Sequence, residues 1–247
     1  MNPASATHDI PAGELHAWLV PLDDDCVDEA DWYDVLDPAE RSRARRYAFV
    51  HLRRRYVAAH AALRGVLGHV LGLAPERVAI VTDADGKPAL GAGLPPLQFN
   101  LSHSGGMAVV ALSGEGSVGV DVEYCAPQPR LPLLVARYFS ALEQEAFWRL
   151  DDAQRLPGFY RWWTCKEACL KATGHGLRYP LDGFSVEFRP GFAPRVLQAE
   201  DALAGLRLAP LVFEEPGWCG TVALASHNTP NTPVPRMRRW SWHGWRM

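Results

Sequence analysis

The chain is predicted to fold as an α+β protein. Stretches with helical spacing run from Arg41 to Leu73 and from Phe159 to Thr173. They are separated by short apolar or alternating segments at Val78–Val81, Met107–Leu112, Val118–Glu123, Phe184–Phe188, Leu206–Leu208 and Thr221–Ala225. Composition agrees: 247 residues with 48% hydrophobic side chains can fill one large core or two modest ones. No segment has the apolar length of a membrane span, and the N-terminus lacks the basic-then-apolar order of a signal peptide. A cytoplasmic protein with no membrane contact is therefore expected. Five cysteines (Cys26, Cys125, Cys165, Cys169, Cys219) form no C-x-x-C pair and are odd in number, which argues against a zinc knuckle and against a disulfide framework. Cys165 and Cys169, one helical turn apart, read as small buried thiols.

Taken in order, the first sixty residues are unusual in charge. Asp23 to Glu40 holds nine carboxylates and no basic residue; Arg41, Arg43, Arg45, Arg46, Arg53, Arg54 and Arg55 follow with no carboxylate between them. On a helix these arginines form either a solvated basic face or a site for an anionic ligand, since guanidinium binds phosphate bidentately. Nucleic acid is the poorer expectation, because the net charge is −3 and no recognition motif accompanies the arginines. Gly72 to Pro75 ends the helical pattern. Asp83 to Pro88 is a turn by composition, with Lys87 placed where a side chain can reach into a cleft. In Phe99-Asn100-Leu101-Ser102-His103-Ser104-Gly105-Gly106 the two glycines permit close backbone approach, and Ser102 and His103 can hydrogen-bond phosphate oxygens.

Val118-Gly119-Val120-Asp121-Val122-Glu123 alternates with period two, so Asp121 and Glu123 share one strand face and the valines the other. Pro127, Pro129 and Pro132 mark a linker and a domain boundary: 1–124 is one α+β half, 125–227 a second, and 228–247 a flexible tail, with partner binding as its alternative. Ser140-Ala141-Leu142-Glu143 has capping-box spacing. In Trp163-Thr164-Cys165-Lys166-Glu167-Ala168-Cys169-Leu170-Lys171, Glu167 and Lys171 project from one helix face. Alone they read as an ordinary surface ion pair; with Asp121 and Glu123 they supply three carboxylates, enough for a hard cation.

V-G-V-D-V-E followed by W-T-C-K-E-A-C-L-K resembles the two signature motifs of the 4'-phosphopantetheinyl transferase superfamily. F-N-L-S-H-S, G-K-P and the R-R-R-Y helix resemble its larger, Sfp-type branch. The resemblance runs from about Asp37 to Gly176. It implies two similar α+β halves in pseudo-twofold arrangement within a monomer, with a ligand cleft between them. It implies magnesium-dependent transfer of the phosphopantetheine arm of coenzyme A to a serine of an apo acyl or peptidyl carrier protein, releasing 3',5'-ADP. By resemblance Asp121, Glu123 and Glu167 hold Mg2+ and Lys171 meets the pyrophosphate. Arg55, Lys87 and His103 hold the 3'-phosphate end, with Ser102 lining the same loop and Arg43 assisting. Glu40 falls where relatives carry a basic residue. The chemistry agrees, because serine attack on a pyrophosphate needs charge neutralised and a proton removed, and oxygen ligands suit magnesium. Glu167 is the expected general base. An arginine-rich surface beside the cleft would steer acidic carriers, whether of fatty-acid, polyketide or nonribosomal-peptide type. A hydrolase of nucleotide pyrophosphates and a non-catalytic coenzyme A-binding module are the alternatives.

Overall fold

The computed structural model describes residues 10–11, 14–24, 29–83, 86–174, 176–189, 191–199, 201–225 and 234–242. Cys26, Asp25, Asp28, Asp85, His227 and the last five residues, with Trp245 and Arg246, lie outside them. The first half contains β1 (Leu15–Pro21), α1 (Glu29–Val35), α2 (Pro38–Ala44), α3 (Val50–Leu71), β2 (Ile80–Thr82), β3 (Pro88–Leu90), β4 (Gln98–Ser104) and β5 (Met107–Ser113). The second contains β6 (Ser117–Tyr124), α4 (Leu131–Tyr138), α5 (Ala141–Trp148), α6 (Asp152–Thr173), β7 (Ser185–Glu187), β8 (Arg195–Gln198), α7 (Asp201–Ala204), β9 (Leu206–Pro210) and β10 (Trp218–Ala225), followed by β11 (Arg236–Arg239). The protein is α+β, as expected.

The two halves are alike in plan. Each opens on a strand, passes through three helices ending in one of 22 residues, makes a short strand pair and closes on two antiparallel strands. The sheet orders correspond, β11-β1-β5-β4 against β6-β10-β9-β8-β7, so that β1-β5-β4 matches β6-β10-β9. No sequence repeat announces this, because packing against a helix constrains apolar spacing and leaves residue identity free.

Burial explains the layering. Val20, Val110 and Leu112 pack with Tyr56, Leu63 and Leu67 of α3 in one core. Phe139, Phe147, Trp162, Leu170 and Phe184 form a second around α6. Leu15, Val109, Ala111, Val118, Val120, Val122, Val222 and Leu224 form a third between the two sheets. The valines of β6 thus face the opposite sheet, while its odd-numbered residues face α6. Gly119 shows how close that packing is: a Cβ there would collide with the backbone of Ala168 and Ala172 in α6.

Four boundaries differ from the sequence reading. The sheets divide at the Gly114–Gly116 turn, so β6 pairs with β10 in the second half rather than ending the first. The expected flexible tail is corrected for residues 236–242: β11 pairs in parallel with β1, and Trp240 and Trp242 are buried. Trp242 donates its indole N–H to the Pro21 carbonyl at 3.0 Å and lies 4.8 Å from Trp32, so large apolar area outweighs the proline-rich approach to it. The Arg41–Leu73 helix is in fact two: α2 ends at Ala44 with Arg45 as its C-cap, Phe49 is extended, and Tyr47 packs on Tyr56 at 5.2 Å. Other signals read correctly. Gly72 and Gly174 terminate α3 and α6 in the left-handed conformation, and Ser140 and Glu143 form the anticipated capping box on α5. The α6 helix begins earlier than Phe159 because it accommodates Pro157 in its second turn.

Candidate active site

The site is built where the edge of β4 meets the edge of β6, and side chains take the place of a main-chain ladder. The Val120 amide donates to Asn100 Oδ1 (2.9 Å), the Val122 amide to Ser102 Oγ (3.3 Å) and the Tyr124 amide to Ser104 Oγ (3.3 Å). The polar residues of N-L-S-H-S therefore recur with period two to suture the halves. The serine hydroxyls then donate across the seam, Ser102 to Asp121 Oδ1 at 2.9 Å and Ser104 to Glu123 Oε2 at 2.6 Å. Both carboxylates stand on the α6 side of β6, as the alternation required.

The α6 helix closes the site. Lys171 Nζ donates to Asp121 Oδ1 at 2.6 Å and to Ser102 Oγ at 3.0 Å. Its ammonium is the cation among three carboxylates. Burial pushes the Glu167 carboxyl up, Asp121 and Glu123 add repulsion, and Lys171 opposes them. Burial likewise raises Glu123, against hydrogen bonds from Ser104 and Trp163. Among the described residues the Glu167 carboxylate makes no hydrogen bond, and the Asp121 Oδ2 atom is buried with no partner. No group of three acidic, histidine or cysteine side chains among the described residues already surrounds one point at ligand distances. The donor set is nonetheless the one a hard cation takes, and the orphaned oxygen of Asp121 lacks a cationic or protic partner.

On the first-half side, His103 opens to solvent but is walled by neighbouring atoms. Desolvation, then His60, Lys171 and Arg43, push its imidazole down to about 4. The structure thus joins Ser102, Asp121 and Lys171, with His103, Glu123 and Glu167 beside them, while Arg43 lies over the Tyr56 ring at 5.7 Å and acts on His103 as a nearby charge. His60 joins them without having been anticipated. It lies 4.2 Å from Tyr56 by ring centroid and meets Glu40 Oε1 through Nδ1 at 3.0 Å.

Two expected residues are placed differently. Lys87 does not extend into the cleft: its Nζ donates to Ser117 Oγ (2.6 Å), Val118 O (2.9 Å) and Ala172 O (3.1 Å). It clamps the C-terminal end of α6 to β6, where a cation complements the helix dipole, and burial lowers it to about 8. Arg55 is held bidentately by Asp23, at 2.8 and 2.6 Å, so an anionic ligand reaches it only by displacing that carboxylate. The neighbouring arginines follow the same pattern. Arg53 pairs with Glu29 and Arg54 donates to the Asp24 carbonyl, so part of the basic run is engaged by the acidic one. Glu40 has its own explanation. It is the N3 residue of a capping box with Asp37 and pairs with Arg64 at 2.7 Å; although burial opposes it, His60 and Arg64 hold its carboxyl below the usual range.

A family model described as the 4'-phosphopantetheinyl transferase superfamily matches residues 117–214, and one described as the N-terminal part of 4'-phosphopantetheinyl transferase matches 28–115. The 4'-phosphopantetheinyl transferase HetI of Nostoc is 38% identical over 199 residues, covering 80% of this chain and 83% of that protein. The chain belongs to the 4'-phosphopantetheinyl transferase superfamily. Transferase psf-1 of Bacillus pumilus is 31% identical (77% of this chain, 76% of that protein), and transferase Sfp of Bacillus subtilis is 31% identical (61% and 66%). The two family matches adjoin at residue 116, where the sheets divide. The two matches together therefore span both sides of the β4–β6 seam, and the site lies across it.

Proposed function

We propose that this chain transfers the 4'-phosphopantetheine group of coenzyme A to a serine of an apo acyl or peptidyl carrier protein, with Mg2+, releasing 3',5'-ADP. The observation that carries this reading is the Ser102–Asp121–Lys171 contact, with Glu123 and Glu167 beside it, built from both halves of one chain. A monomer holds the whole site.

Asp121, Glu123 and Glu167 would hold the magnesium, which supplies neutralisation of the pyrophosphate and of the leaving 3',5'-ADP. The chain's own groups do the rest. Lys171, 2.6 Å from Asp121, would pair its ammonium with the pyrophosphate of coenzyme A. Ser102, His103 and Arg43 orient the phosphate end as hydrogen-bond donors and fixed charge. Glu167, whose carboxylate has no hydrogen bond among the described residues, accepts the proton of the incoming serine hydroxyl, directly or through water. Arg55 contributes to the 3'-phosphate if Asp23 gives way; Lys87 fixes the end of the helix that bears Glu167 and Lys171.

His103 gives a pH signature. Its folded value near 4 lies below the ordinary 6.5, so protonation favours the unfolded chain. No penalty exists above that ordinary value, and one grows as the pH falls toward 4. A bound phosphate stabilises imidazolium. The imidazole should therefore titrate near 4 in the ligand-free protein and distinctly higher with coenzyme A, read by NMR; no change on adding coenzyme A contradicts the phosphate-orienting role.

The reaction class is tested by following 3',5'-ADP. Release only when an apo carrier is present supports transfer. Equal release without a carrier identifies a hydrolase.

A further inference from the structure

Cys125 and Cys219 take no part in the chemistry above, yet they flank it. Cys125 follows β6 directly and Cys219 is the second residue of β10; their sulfurs are 3.2 Å apart, with Cys125 donating to Cys219. Both are free and half-buried. Strand register sets Cys219 directly opposite Glu123, and the Cys125 amide is tied to the Gly217 carbonyl at 2.7 Å. Residues opposite one another share a face, as do residues two apart on a strand. Glu123 thus neighbours both thiols on the α6 side of the sheet, opposite Cys219 and two residues before Cys125. Cys165 and Cys169, by contrast, are fully buried within the α6 core.

We propose that Cys125 and Cys219 form a reversible dithiol–disulfide pair, oxidised by low-molecular-weight disulfides, whose closure shifts Glu123 and slows the transferase. Closing 3.2 Å to the bonded distance of about 2.05 Å draws the end of β6 and the start of β10 together beside Glu123. A ligand carboxylate has little tolerance for such a shift, since magnesium demands near-ideal geometry. The exchange balances. One protein thiol, losing its proton, attacks a sulfur of RS–SR; its S–S bond breaks, RS⁻ departs and takes up that proton, and a mixed disulfide remains. The second thiol likewise loses its proton and attacks the protein sulfur of that intermediate, expelling a second RS⁻, which is protonated. The dithiol is oxidised by two electrons and RSSR is reduced to two RSH. The effect on rate rests on the function proposed above; formation of the bond does not.

The test incubates the full chain with glutathione disulfide, alkylates the remaining thiols, and maps digested peptides by mass spectrometry. A peptide pair joining Cys125 to Cys219, lost on treatment with dithiothreitol, is the expected result. Both residues alkylated as in untreated protein, each bearing a separate glutathione, or linked to other cysteines overturns the pair. In the carrier-modification assay the oxidised protein should be slower by roughly tenfold and recover with dithiothreitol. Cys125→Ser and Cys219→Ser should neither cross-link nor respond to oxidant. Cross-linking at unchanged rate overturns the coupling to Glu123. Cross-linking in a protein that modifies no carrier even when reduced supports the dithiol and counts against the proposed function.

Discussion

Glu167→Gln is expected to slow phosphopantetheine transfer by roughly 10²- to 10⁴-fold, the range for losing a positioned general base. The amide has the same shape but accepts no proton at neutral pH. Coenzyme A affinity should change far less, because Arg43, Ser102, His103 and Lys171 are left in place to bind it. Burial and the neighbouring Asp121 and Glu123 raise the carboxyl, which moves it toward the working pH of a base. Single-turnover rates and calorimetric binding of coenzyme A check this pair of expectations. Near-normal turnover removes Glu167 from the base role; loss of binding to the same extent as rate makes it a binding residue instead.

Lys166→Met is expected to destabilise the fold by about 3–5 kcal/mol, the cost of leaving a buried charge without its partner. Lys166 Nζ reaches Glu143 at 2.9 and 2.7 Å and the Phe184 carbonyl at 2.6 Å, with side-chain exposures of 1% and 0% for the two partners. Glu143 also accepts from the Val186 amide at 2.9 Å and caps α5, so the pair joins α5, α6 and β7. Its neighbour in sequence is Glu167. The double variant with Glu143→Met should recover part of the loss, because removing both charges removes the orphan. Urea denaturation measures both. A single variant within about 1 kcal/mol of the parent, the scale of an exposed ion pair, would show that this pair does not organise the helix.

Much of this was legible in the residues. Period-two alternation correctly assigned the two faces of β6, because one face is buried between sheets and the other against α6. The capping box at Ser140 and the glycines after α3 and α6 marked helix ends through local geometry. Pairings distant in sequence were not legible: Lys166 with Glu143, Lys87 with the end of α6, and Asp23 with Arg55 have no local signature. The arginine run read as a ligand surface for the same reason, since its partners lie in the acidic stretch and are met only on folding. The tail misled because proline and asparagine suggest disorder, whereas Trp240 and Trp242 bury enough area to dock it. Asn100, Ser102 and Ser104 did alternate along their strand, a signal that could have disclosed the seam.

The central claim is that carboxylates and Lys171 drawn from β6 and α6, completed by Ser102 of β4, move phosphopantetheine from coenzyme A onto a serine. Intact-mass measurement tests it most directly, using an apo acyl carrier protein and an apo peptidyl carrier domain, each incubated with this protein, coenzyme A and magnesium, with and without EDTA. The account predicts that at least one carrier gains a single phosphopantetheine and that EDTA abolishes the gain. Carriers of unchanged mass while coenzyme A is consumed, or a gain indifferent to EDTA, would contradict it.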